Sequence, residues 1–444
     1  MKIVIGGAGE VGSHLAKLLS REDQDIILID ADPAKLAPLD ANYNLMTLAG
    51  NPASFQTLRD ADVSHCDLFI AVTPFETDNV TACAIAKSLG AKKTVARIDN
   101  YEYMRAENRP FLSKFGVNDT IYPEYLAALE IKTALQHTWS RQWFELHDGQ
   151  LILLAVKIRA NATIAGMKLR DVTFAHHNFH VSAIKRRHET VIPRGEDVIR
   201  ENDILYFTTT PEHVTELRDL CGKTQTRVKK IMVMGGGKIT ARLTHMLGKD
   251  YKIKIIDNDH DRCRKLPERC PNADIICADA RDNEVLVEEG IGEVDAFVAL
   301  SDSSETNILA CLTAKEFGVA KTVAEVENLQ FISEAEGLNI GTVINKKLLA
   351  SSKIFQLLID ADTESSKCMA LADAEVAEFE VHTGARITRS MVKDLSLPHG
   401  MTMAGMIRDG KGELISGTTV LKPGDHVLVF SLSGLLHRIE KLFI

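Results

Sequence analysis

Near its start the chain reads Lys2-Ile3-Val4-Ile5-Gly6-Gly7-Ala8-Gly9-Glu10-Val11-Gly12. The apolar run before the glycines predicts a buried strand, and apolar residues at helical spacing after them predict a helix. Gly7, Gly9 and Gly12 have the G-x-G-x-x-G spacing, in which they permit a tight turn, close approach of a pyrophosphate and close packing of helix on strand. We therefore take residues 7–12 as candidate phosphate-binding residues at the amino end of a helix.

A carboxylate follows at the distance that a dinucleotide-binding fold requires. The run Ile26-Ile27-Leu28-Ile29 predicts a second strand, and Asp30 ends it roughly 20 residues after the glycines. A carboxylate in this place accepts a hydrogen bond from a ribose 2′-OH and repels a 2′-phosphate. The order strand, glycines, helix, strand and acid therefore predicts a nucleotide site that prefers NAD(H) to NADP(H).

Composition and charge argue against several classes of protein. The chain has 444 residues, enough for two to four domains, and 45% of them are hydrophobic, as in ordinary globular proteins. Its net charge is −9 and it has no long basic run, which argues against a nucleic-acid or anionic-membrane surface. No apolar run reaches the roughly 18 residues of a membrane span, and a strand pattern rather than a signal peptide follows the first lysine. We therefore expect a cytoplasmic protein without direct membrane insertion.

Strand and helix patterns alternate through the first third of the chain. Further apolar runs predict strands at Leu45 to Leu48, Leu68 to Val72 and Thr94 to Ala96, with helices at 53–60, from Asp78-Asn79 to Leu89 and at 124–138. Near-continuous apolar strands separated by helices are typical of a parallel sheet covered on both faces. We predict a doubly wound α/β sheet with polar or glycine residues close to the ends of its strands: Gly50, Asn51, Thr73, Asp78, Asn79 and Arg97.

The same order of features recurs 228 residues later. Lys230 to Met234 predicts a strand, and Gly235-Gly236-Gly237-Lys238-Ile239-Thr240 follows it, so that Gly235 stands 228 residues after Gly7. The offset pairs further residues of the two halves: Gly9 with Gly237, Asn51 with Asp279, Thr73 with Ser301, Asn79 with Asn307 and, after a one-residue slip, Asp30 with Asp257. A register kept over about ninety residues indicates an internal duplication.

Two shorter segments, residues 143–210 and 378–431, have a different pattern. They alternate apolar and polar residues between Gly, Pro and Asp turn signals, and Ile164 to Asp171 resembles Ile387 to Asp394. We predict two small α+β modules, one after each sheet domain. The expected domains are 1–138 and 228–362 for the sheets, and 139–222 and 368–444 for the modules.

The duplicated features, taken in this order, resemble one known family. Two dinucleotide-binding domains, each followed by a small α+β module, are similar to the regulatory subunit of Trk-type bacterial potassium uptake systems, with its tandem potassium-conductance-regulator (RCK) domains. The resemblance is carried by residues 7–12, Asp30, Ala71-Val72-Thr73, Glu76 with Asp78-Asn79, and Ala96-Arg97-Ile98. It implies a cytoplasmic nucleotide-sensing ring, a homotetramer, that docks on a membrane-embedded potassium-translocating subunit and opens or closes it.

The resemblance also implies roles for the candidate residues. NAD(H) is the expected ligand, and ATP or ADP is the other candidate. Residues 7–12 would hold the phosphates, Asp30 would accept from the ribose, and Gly50-Asn51 would lie beside the adenine. Thr73 would stand near the ligand, and Arg97 would neutralise phosphate. The corresponding candidates in the second half are Gly235, Gly236, Gly237, Lys238, Ile239, Asp257, Asp279 and Ser301.

The two halves differ where the ligand would bind. Thr240 replaces Gly12 and is expected to loosen or displace the helix that follows the turn. Glu325 replaces Arg97 and would repel a pyrophosphate, an effect that Lys238 would partly offset. We therefore expect the first half to bind dinucleotide more tightly than the second.

A nicotinamide-dependent oxidoreductase is the main alternative function. Such an enzyme needs an acid or base beside the nicotinamide, but the chain has no Tyr-x-x-x-Lys pair, and the modules look short for catalytic domains. Duplicated sites suit a symmetric assembly better than one active site, so we expect no enzyme activity. A nucleotide-sensing adaptor of another cation transporter is the third interpretation.

Two polar clusters invite other interpretations. His176-His177-Asn178-Phe179-His180 are loosely spaced in a predicted loop without a cysteine or acid cluster, and the 8 cysteines form no C-x-x-C pair, so we predict no metal site. The basic run Lys185-Arg186-Arg187-His188 is short, and we interpret it as a solvated hairpin tip rather than a contact for a nucleic-acid backbone.

Overall fold

The computed structural model describes residues 1–20, 24–187, 189–362, 368–371, 374–432 and 435–444. Contacts between these residues divide the chain into two compact units. The first comprises residues 1–126 and 346–362, and the second comprises 127–345 and the described residues from 368 onward. Across the described ranges, no helix combines the length and the apolar character needed to cross a membrane.

The first sheet has six parallel strands in the doubly wound arrangement that the sequence predicts. The strands are β1 (Lys2–Gly6), β2 (Asp25–Asp30), β3 (Met46–Ala49), β4 (Leu68–Ala71), β5 (Lys93–Arg97) and β6 (Asp119–Ile121), in the order β3-β2-β1-β4-β5-β6. Helices connect them: α1 (Glu10–Leu19), α2 (Pro33–Asn42), α3 (Phe55–Asp60), α4 (Glu76–Leu89), α5 (Arg109–Lys114) and α6 (Pro123–Gln136). The central strands β1 and β4 are almost wholly buried because helices cover both faces of the sheet.

The first small module is an antiparallel sheet. Its elements are β7 (Gln142–Leu146), β8 (Leu151–Lys157), α7 (Leu169–Ala175), β9 (Phe179–Arg186), β10 (Glu189–Val191), β11 (Ile204–Thr209) and α8 (Val214–Leu220). The strand order is β10-β9-β11-β8-β7. Helices α7 and α8 contribute Val172 and Leu217 to the core on one face of this sheet, which leaves the other face for a different partner.

The second sheet repeats the first. Its strands are β12 (Lys230–Met234), β13 (Lys252–Asp257), β14 (Ala273–Cys277), β15 (Ala296–Ala299), β16 (Lys321–Glu325) and β17 (Thr342–Ile344), again with the first strand between the second and fourth. The helices are α9 (Lys238–Leu247), α10 (His260–Arg269), α11 (Asn283–Glu288), α12 (Ser304–Glu316), α13 (Gln330–Gly337) and α14 (Lys346–Asp362). The duplication predicted from the 228-residue offset is therefore present in three dimensions.

The second small module completes the chain. It contains β18 (Cys368–Leu371), β19 (Ala374–Glu380), β20 (Met401–Arg408), β21 (Lys411–Leu414), β22 (His426–Leu432) and α15 (Leu436–Glu440), with the antiparallel order β18-β19-β22-β20-β21. The sheets of the two modules meet through one apolar cluster, here called the intermodule cluster: Leu153, Ala155, Ala183, Ile204, Tyr206, Val376, Ala404, Leu428 and Phe430. This cluster covers the sheet face that the helices of the first module leave open.

Both modules use the same ion pair to fix their last strands. In the first, Arg186 donates from Nε and Nη2 to the carboxylate of Asp203 at 2.8 and 2.7 Å. In the second, Arg408 donates to Asp425 at 2.8 and 2.6 Å. Bidentate pairs of this kind combine charge with fixed geometry. Their presence in both copies confirms that the modules are duplicated too.

Some local predictions differ from the structure. Helix α3 begins at Phe55 rather than at residue 53, because the Asn51 side chain accepts from the Ala53 N–H and forms a turn first. The histidine stretch predicted as a loop enters strand β9 at Phe179. The basic run is only partly solvated, since Lys185 is buried and pairs with Glu336. Residue 188 lies outside the described residues.

Helix α14 follows the second sheet in sequence but packs in the first unit. It lies against α1, and Lys347 Nζ stands 2.9 Å from Glu10 Oε1. Ala350, Ile354 and Leu357 of this helix are buried. The sequence-based domain 228–362 places this helix with the second sheet, whereas its contacts place it with the first.

Candidate nucleotide sites

The carboxyl ends of the strands bring the predicted residues together. The order of the first sheet reverses between β1 and β4, and a doubly wound sheet opens a crevice at such a point. The glycine turn follows β1, Asp30 ends β2, Thr73 comes just after β4, and Arg97 ends β5. Residues that are distant in sequence therefore surround one crevice.

Two of the three glycines in the first turn are required by the fold. Gly7 has φ +111°, and its N–H donates to the Ile29 carbonyl at 2.7 Å. A Cβ on Gly12 would lie 1.9 Å from the Gly7 carbonyl oxygen, so only glycine permits this approach of helix to turn. A Cβ on Gly9 would meet no protein atom within 4 Å. Gly9 therefore leaves open space at the start of α1, where a phosphate would approach.

Asp30 holds the glycine turn as well as facing the ribose position. It is buried, and its Oδ2 accepts from the Ala8 N–H at 2.7 Å while Oδ1 accepts from the Asp32 N–H at 2.9 Å. Lys35 Nζ lies 3.7 Å from Oδ1. Each carboxylate oxygen has two lone pairs, so both retain capacity for a ribose hydroxyl. The structural part of this role was not predicted from the sequence.

Asn79 is a clamp between strand ends rather than a group available to a ligand. Its Oδ1 accepts from the backbone N–H and the hydroxyl of Thr73, both at 2.8 Å. Its Nδ2 donates to the carbonyls of Thr73 and Arg97 at 3.0 and 2.9 Å. All four hydrogen bonds of the buried amide are used within the protein. The prediction that Asn79 contacts the cofactor is corrected to a positioning role, and Asp78 beside it is exposed in the first turn of α4.

The remaining residues of the first site have partners of their own. Arg97 Nη2 lies 3.8 Å from Glu124 Oε1, so its charge is already opposed by a buried carboxylate. The Gly50 N–H donates to the Asp30 carbonyl at 2.9 Å, which fixes the end of β3 beside the ribose position. Lys347 of α14 reaches Glu10 at the start of α1. This lysine lies 337 residues from Glu10 in the chain, and the sequence contained no signal for the pair.

The second half contains a cavity of about 340 Å³ at the matching place. Ligand pockets of small molecules occupy roughly 300–1,000 Å³. The predicted residues that line it are Gly235, Asp257, Asp279 and Ser301. Gly236 supports the turn by donating its N–H to Asp257 Oδ2 at 2.6 Å. A Cβ on Gly237 would meet no atom within 4 Å, as at Gly9.

The side chains after the two glycine turns differ in role. Val11 and Ile239 are buried, so they pack into their domains rather than presenting a side chain to a ligand. Glu10 and Lys238 are exposed first residues of α1 and α9. The opposite charges of these two residues give the helix starts different electrostatic surroundings.

Two arginines of the second cavity were missed by the sequence reasoning. Arg262 Nη1 lies 3.1 Å from Asp257 Oδ2, and the corresponding residue of the first half, after the one-residue slip, is Lys35. Arg281 forms a bidentate pair with Asp279, with Nη2 to Oδ2 at 2.6 Å and Nε to Oδ1 at 2.9 Å. These bonds lower the pKa of Asp279 and raise that of Arg281. The second site therefore contains cations suited to phosphate, despite Glu325.

Thr240 does not loosen the helix that it begins. It is fully buried, and its hydroxyl donates to the Gly235 carbonyl at 2.5 Å. Helices α1 and α9 both have ten residues, and their N-cap glycines have similar dihedral angles, φ −71° and ψ −170° against φ −75° and ψ −168°. A hydrogen bond replaces the close packing that Gly12 allows, so the expected loosening was wrong.

The clamp at the strand ends also recurs in the second half. Asn307 Oδ1 accepts from the backbone N–H and hydroxyl of Ser301 at 2.9 and 2.7 Å. Its Nδ2 donates to the carbonyls of Ser301 and Glu325, both at 2.9 Å. The two crevices therefore share their framework and differ in the charged side chains around it.

Comparison with known proteins agrees with this duplicated architecture. The TrkA-N domain family matches residues 3–123 and 231–346, and the TrkA-C domain family matches 153–222 and 376–444. The Trk system potassium uptake protein TrkA of Vibrio alginolyticus is 29% identical over 451 residues, covering 100% of this chain and 98% of the relative. The TrkA homolog of Archaeoglobus fulgidus is 28% identical over 449 residues, covering 100% of both chains.

Solved structures share the fold at lower sequence identity. The GsuK RCK domain aligns with a TM-score of 0.61 and 15% identity, covering 100% of this chain and 94% of that chain. The GsuK channel bound to NAD aligns with a TM-score of 0.61 and 16% identity, covering 100% of this chain and 78% of that chain. Its two TrkA-N and two TrkA-C domains, in the order of the full-length relatives, show that this chain belongs to the TrkA family of potassium uptake proteins.

Proposed function

We propose that this chain is the nucleotide-sensing regulatory subunit of a membrane potassium uptake system, and that it binds NAD(H) without turning it over. The observation that carries the proposal is the first glycine turn, where Gly9 leaves open space beside Asp30 at the strand-order reversal. The family supplies the potassium uptake context. GsuK, which shares the fold, is a channel whose structure has been solved with NAD.

The second site is proposed to favour a different nucleotide. Arg262 and Arg281 supply two guanidinium groups, whereas buried Glu325 occupies the place of Arg97. Guanidinium groups bind phosphate oxygens in a bidentate manner. A compact adenine nucleotide such as ADP or ATP can use these cations without a nicotinamide ribose near Glu325. The GsuK structure solved with ADP provides a fold-level precedent.

A sensor needs a route from the ligand to another element, and the first unit contains one. The pair between Glu10 and Lys347 joins the start of α1 to α14, which comes from the second half of the sequence. A pyrophosphate at the start of α1 would repel Glu10 and attract Lys347. Nucleotide binding would then favour a new position of α14 and shift the population of conformations.

The chemistry of the sites suits binding rather than turnover. Asp30 is engaged with two backbone N–H groups, and Asp279 is paired with Arg281. Burial is the first cause that raises the pKa of the Cys263 thiol to about 12, so this cysteine stays protonated and weakly nucleophilic. These groups can orient a nucleotide, and none of them is placed to act as a base at neutral pH.

The partner is proposed to be a membrane-embedded potassium-translocating subunit, met from the cytoplasmic side by a homotetramer of this chain. The test is affinity purification from membranes, followed by potassium flux in proteoliposomes that contain the co-purified subunit. NADH or ADP is expected to change the flux, while the NADH concentration stays constant. Steady NADH consumption with a small carbonyl substrate would support the oxidoreductase instead, and a co-purified transporter of another cation would support the adaptor.

The first site is expected to bind NADH at least about tenfold more tightly than NADPH, because a 2′-phosphate would approach the buried Asp30 carboxylate. Titration calorimetry of the full chain with each dinucleotide measures this ratio. The Arg262→Ala variant is the matched control, since an arginine beside the ribose acid can accommodate a 2′-phosphate at the second site. Equal or tighter NADPH binding that persists in this variant would contradict the expectation.

A further inference from the structure

Three metal-ligating side chains meet outside the nucleotide sites. His147 Nε2 lies 2.6 Å from Glu378 Oε1, and His426 Nδ1 lies 3.0 Å from the same oxygen. One ligand atom from each residue falls within 4.8 Å of the other two. We propose that His147, Glu378 and His426 bind a zinc ion that joins the two small modules.

The three residues come from both modules. His147 lies in the turn between β7 and β8, whereas Glu378 is in β19 and His426 begins β22. In the antiparallel register Glu378 pairs with Leu428, so His426 is its diagonal neighbour on the same sheet face. Leu428 belongs to the intermodule cluster. The site therefore lies at the edge of the apolar contact between the modules, where one ion can bridge them.

The duplication shows that a polar group is not required at these positions by the fold. The strand pairing aligns Glu378 with Ala155, where Leu428 and Tyr206 are the partners, and it aligns His426 with Ile204. Both residues of the first module are buried members of the intermodule cluster. The second module therefore replaces two core apolar residues by a carboxylate and an imidazole, although the burial of an ionised carboxylate is costly without a partner.

The atoms present are those that zinc prefers. Imidazole nitrogen and carboxylate oxygen form the His₂Glu ligand set, in which solvent completes the tetrahedron. Calcium and magnesium favour oxygen ligands alone and are disfavoured here. Tetrahedral bonds of about 2.0–2.2 Å place neighbouring ligand atoms roughly 3.3 Å apart, so the present spacings need to widen by less than about 1 Å.

The burial and backbone of the site support the same conclusion. Glu378 is 5% exposed, while the side chains of His147 and His426 are 25% and 33% exposed, which leaves an entry path for an ion. His426 Nδ1 is buried and has no hydrogen-bond partner. An imidazole nitrogen this close to a carboxylate oxygen needs a proton or a metal ion between them. His147 has φ +48°, a conformation that non-glycine residues adopt uncommonly and that often accompanies function.

The test is zinc titration of the untagged full chain after chelator treatment, followed by calorimetry. The double variant Glu378→Ala with His426→Ile carries the residues of the first module, so it removes the ligands without leaving a buried charge. His147→Asn keeps a residue that tolerates positive φ. Wild type is expected to bind one more zinc per chain than either variant, or to bind it at least about 100-fold more tightly.

A control separates this site from the exposed thiol of Cys277, whose Sγ lies 3.1 Å from His260 Nδ1. The Cys277→Ser variant is expected to keep the tight zinc site, and cobalt bound there is expected to lack thiolate charge-transfer absorption. Zinc should raise the unfolding temperature of wild type and Cys277→Ser but not of the double variant. Equal zinc binding by wild type and the double variant, or loss of the site only in Cys277→Ser, would overturn the proposal.

Discussion

Replacement of Gly9 by glutamate is expected to weaken NAD(H) binding at the first site by about 100-fold or more, without loss of folding. The position has an ordinary φ of −71°, and a Cβ there meets no protein atom within 4 Å. The protein therefore tolerates the new side chain, whereas a pyrophosphate would meet both its volume and its charge. Calorimetry with NADH measures the affinity, and thermal unfolding of the ligand-free variant checks the fold.

Gly237→Glu is the matched variant, because Gly237 has the same cap geometry and the same open space. We expect this change to spare the tight NAD(H) site and to weaken binding of the second nucleotide. Loss of the tight site in Gly237→Glu alone would show that the two halves are assigned in reverse. An equal loss of NAD(H) affinity in both variants would show that the sites are equivalent.

Replacement of Asn79 by alanine is expected to destabilise the first sheet domain by about 3 kcal/mol, because it leaves several buried backbone and hydroxyl groups without their partner. Asn307→Ala removes the same four hydrogen bonds from the second domain and should cost a similar amount. Urea unfolding, read together with amide exchange at Thr73 and Ser301, assigns each loss to its domain.

Thr81→Ala provides the control on the same helix, since the Thr81 hydroxyl bonds only an exposed carbonyl one turn earlier. That change is expected to alter stability by less than about 0.5 kcal/mol. If Asn79→Ala is no more destabilising than Thr81→Ala, the clamp does not hold the strand ends, and direct contact with the ligand becomes the better role for Asn79.

The fold could be predicted because its signals are local and repeated. The glycine turn, the apolar strands and Asp30 follow one another within thirty residues, and the second half repeats them from Gly235 to Asp257. Backbone geometry dictates each of these residues, so their spacing survives in the sequence. The identity of the strands and their parallel order followed from the same pattern.

The electrostatics of the sites could not be predicted in the same way. Arg281 pairs with Asp279 two residues away, but an exposed arginine in a loop has no distinctive spacing. The contact of Lys347 with Glu10 depends on where α14 packs, which the order of the elements does not reveal. Thr240 was misread because a buried hydroxyl can bond a carbonyl that glycine would approach.

The metal-site prediction considered the wrong histidines. His176-His177-Asn178-Phe179-His180 attracted notice because the residues are adjacent in sequence. His147, Glu378 and His426 are separated by more than two hundred residues and are brought together only by the contact between modules. Ligands contributed by different modules have no fixed spacing, so a sequence search for short metal motifs overlooks them.

The position of α14 has a consequence for the order of events on the ribosome. Residues 1–126 cannot complete their folding unit until residues 346–362 have been made, and 346 minus 126 gives an interval of 220 residues. Synthesis at about 5–20 residues per second makes this delay roughly 11–44 s. During that time the α1 surface destined for α14 is open to solvent and to other nascent chains. Polysome spacing and early chaperone contact are therefore expected to affect the yield of native protein more than they do for proteins whose domains close in sequence order.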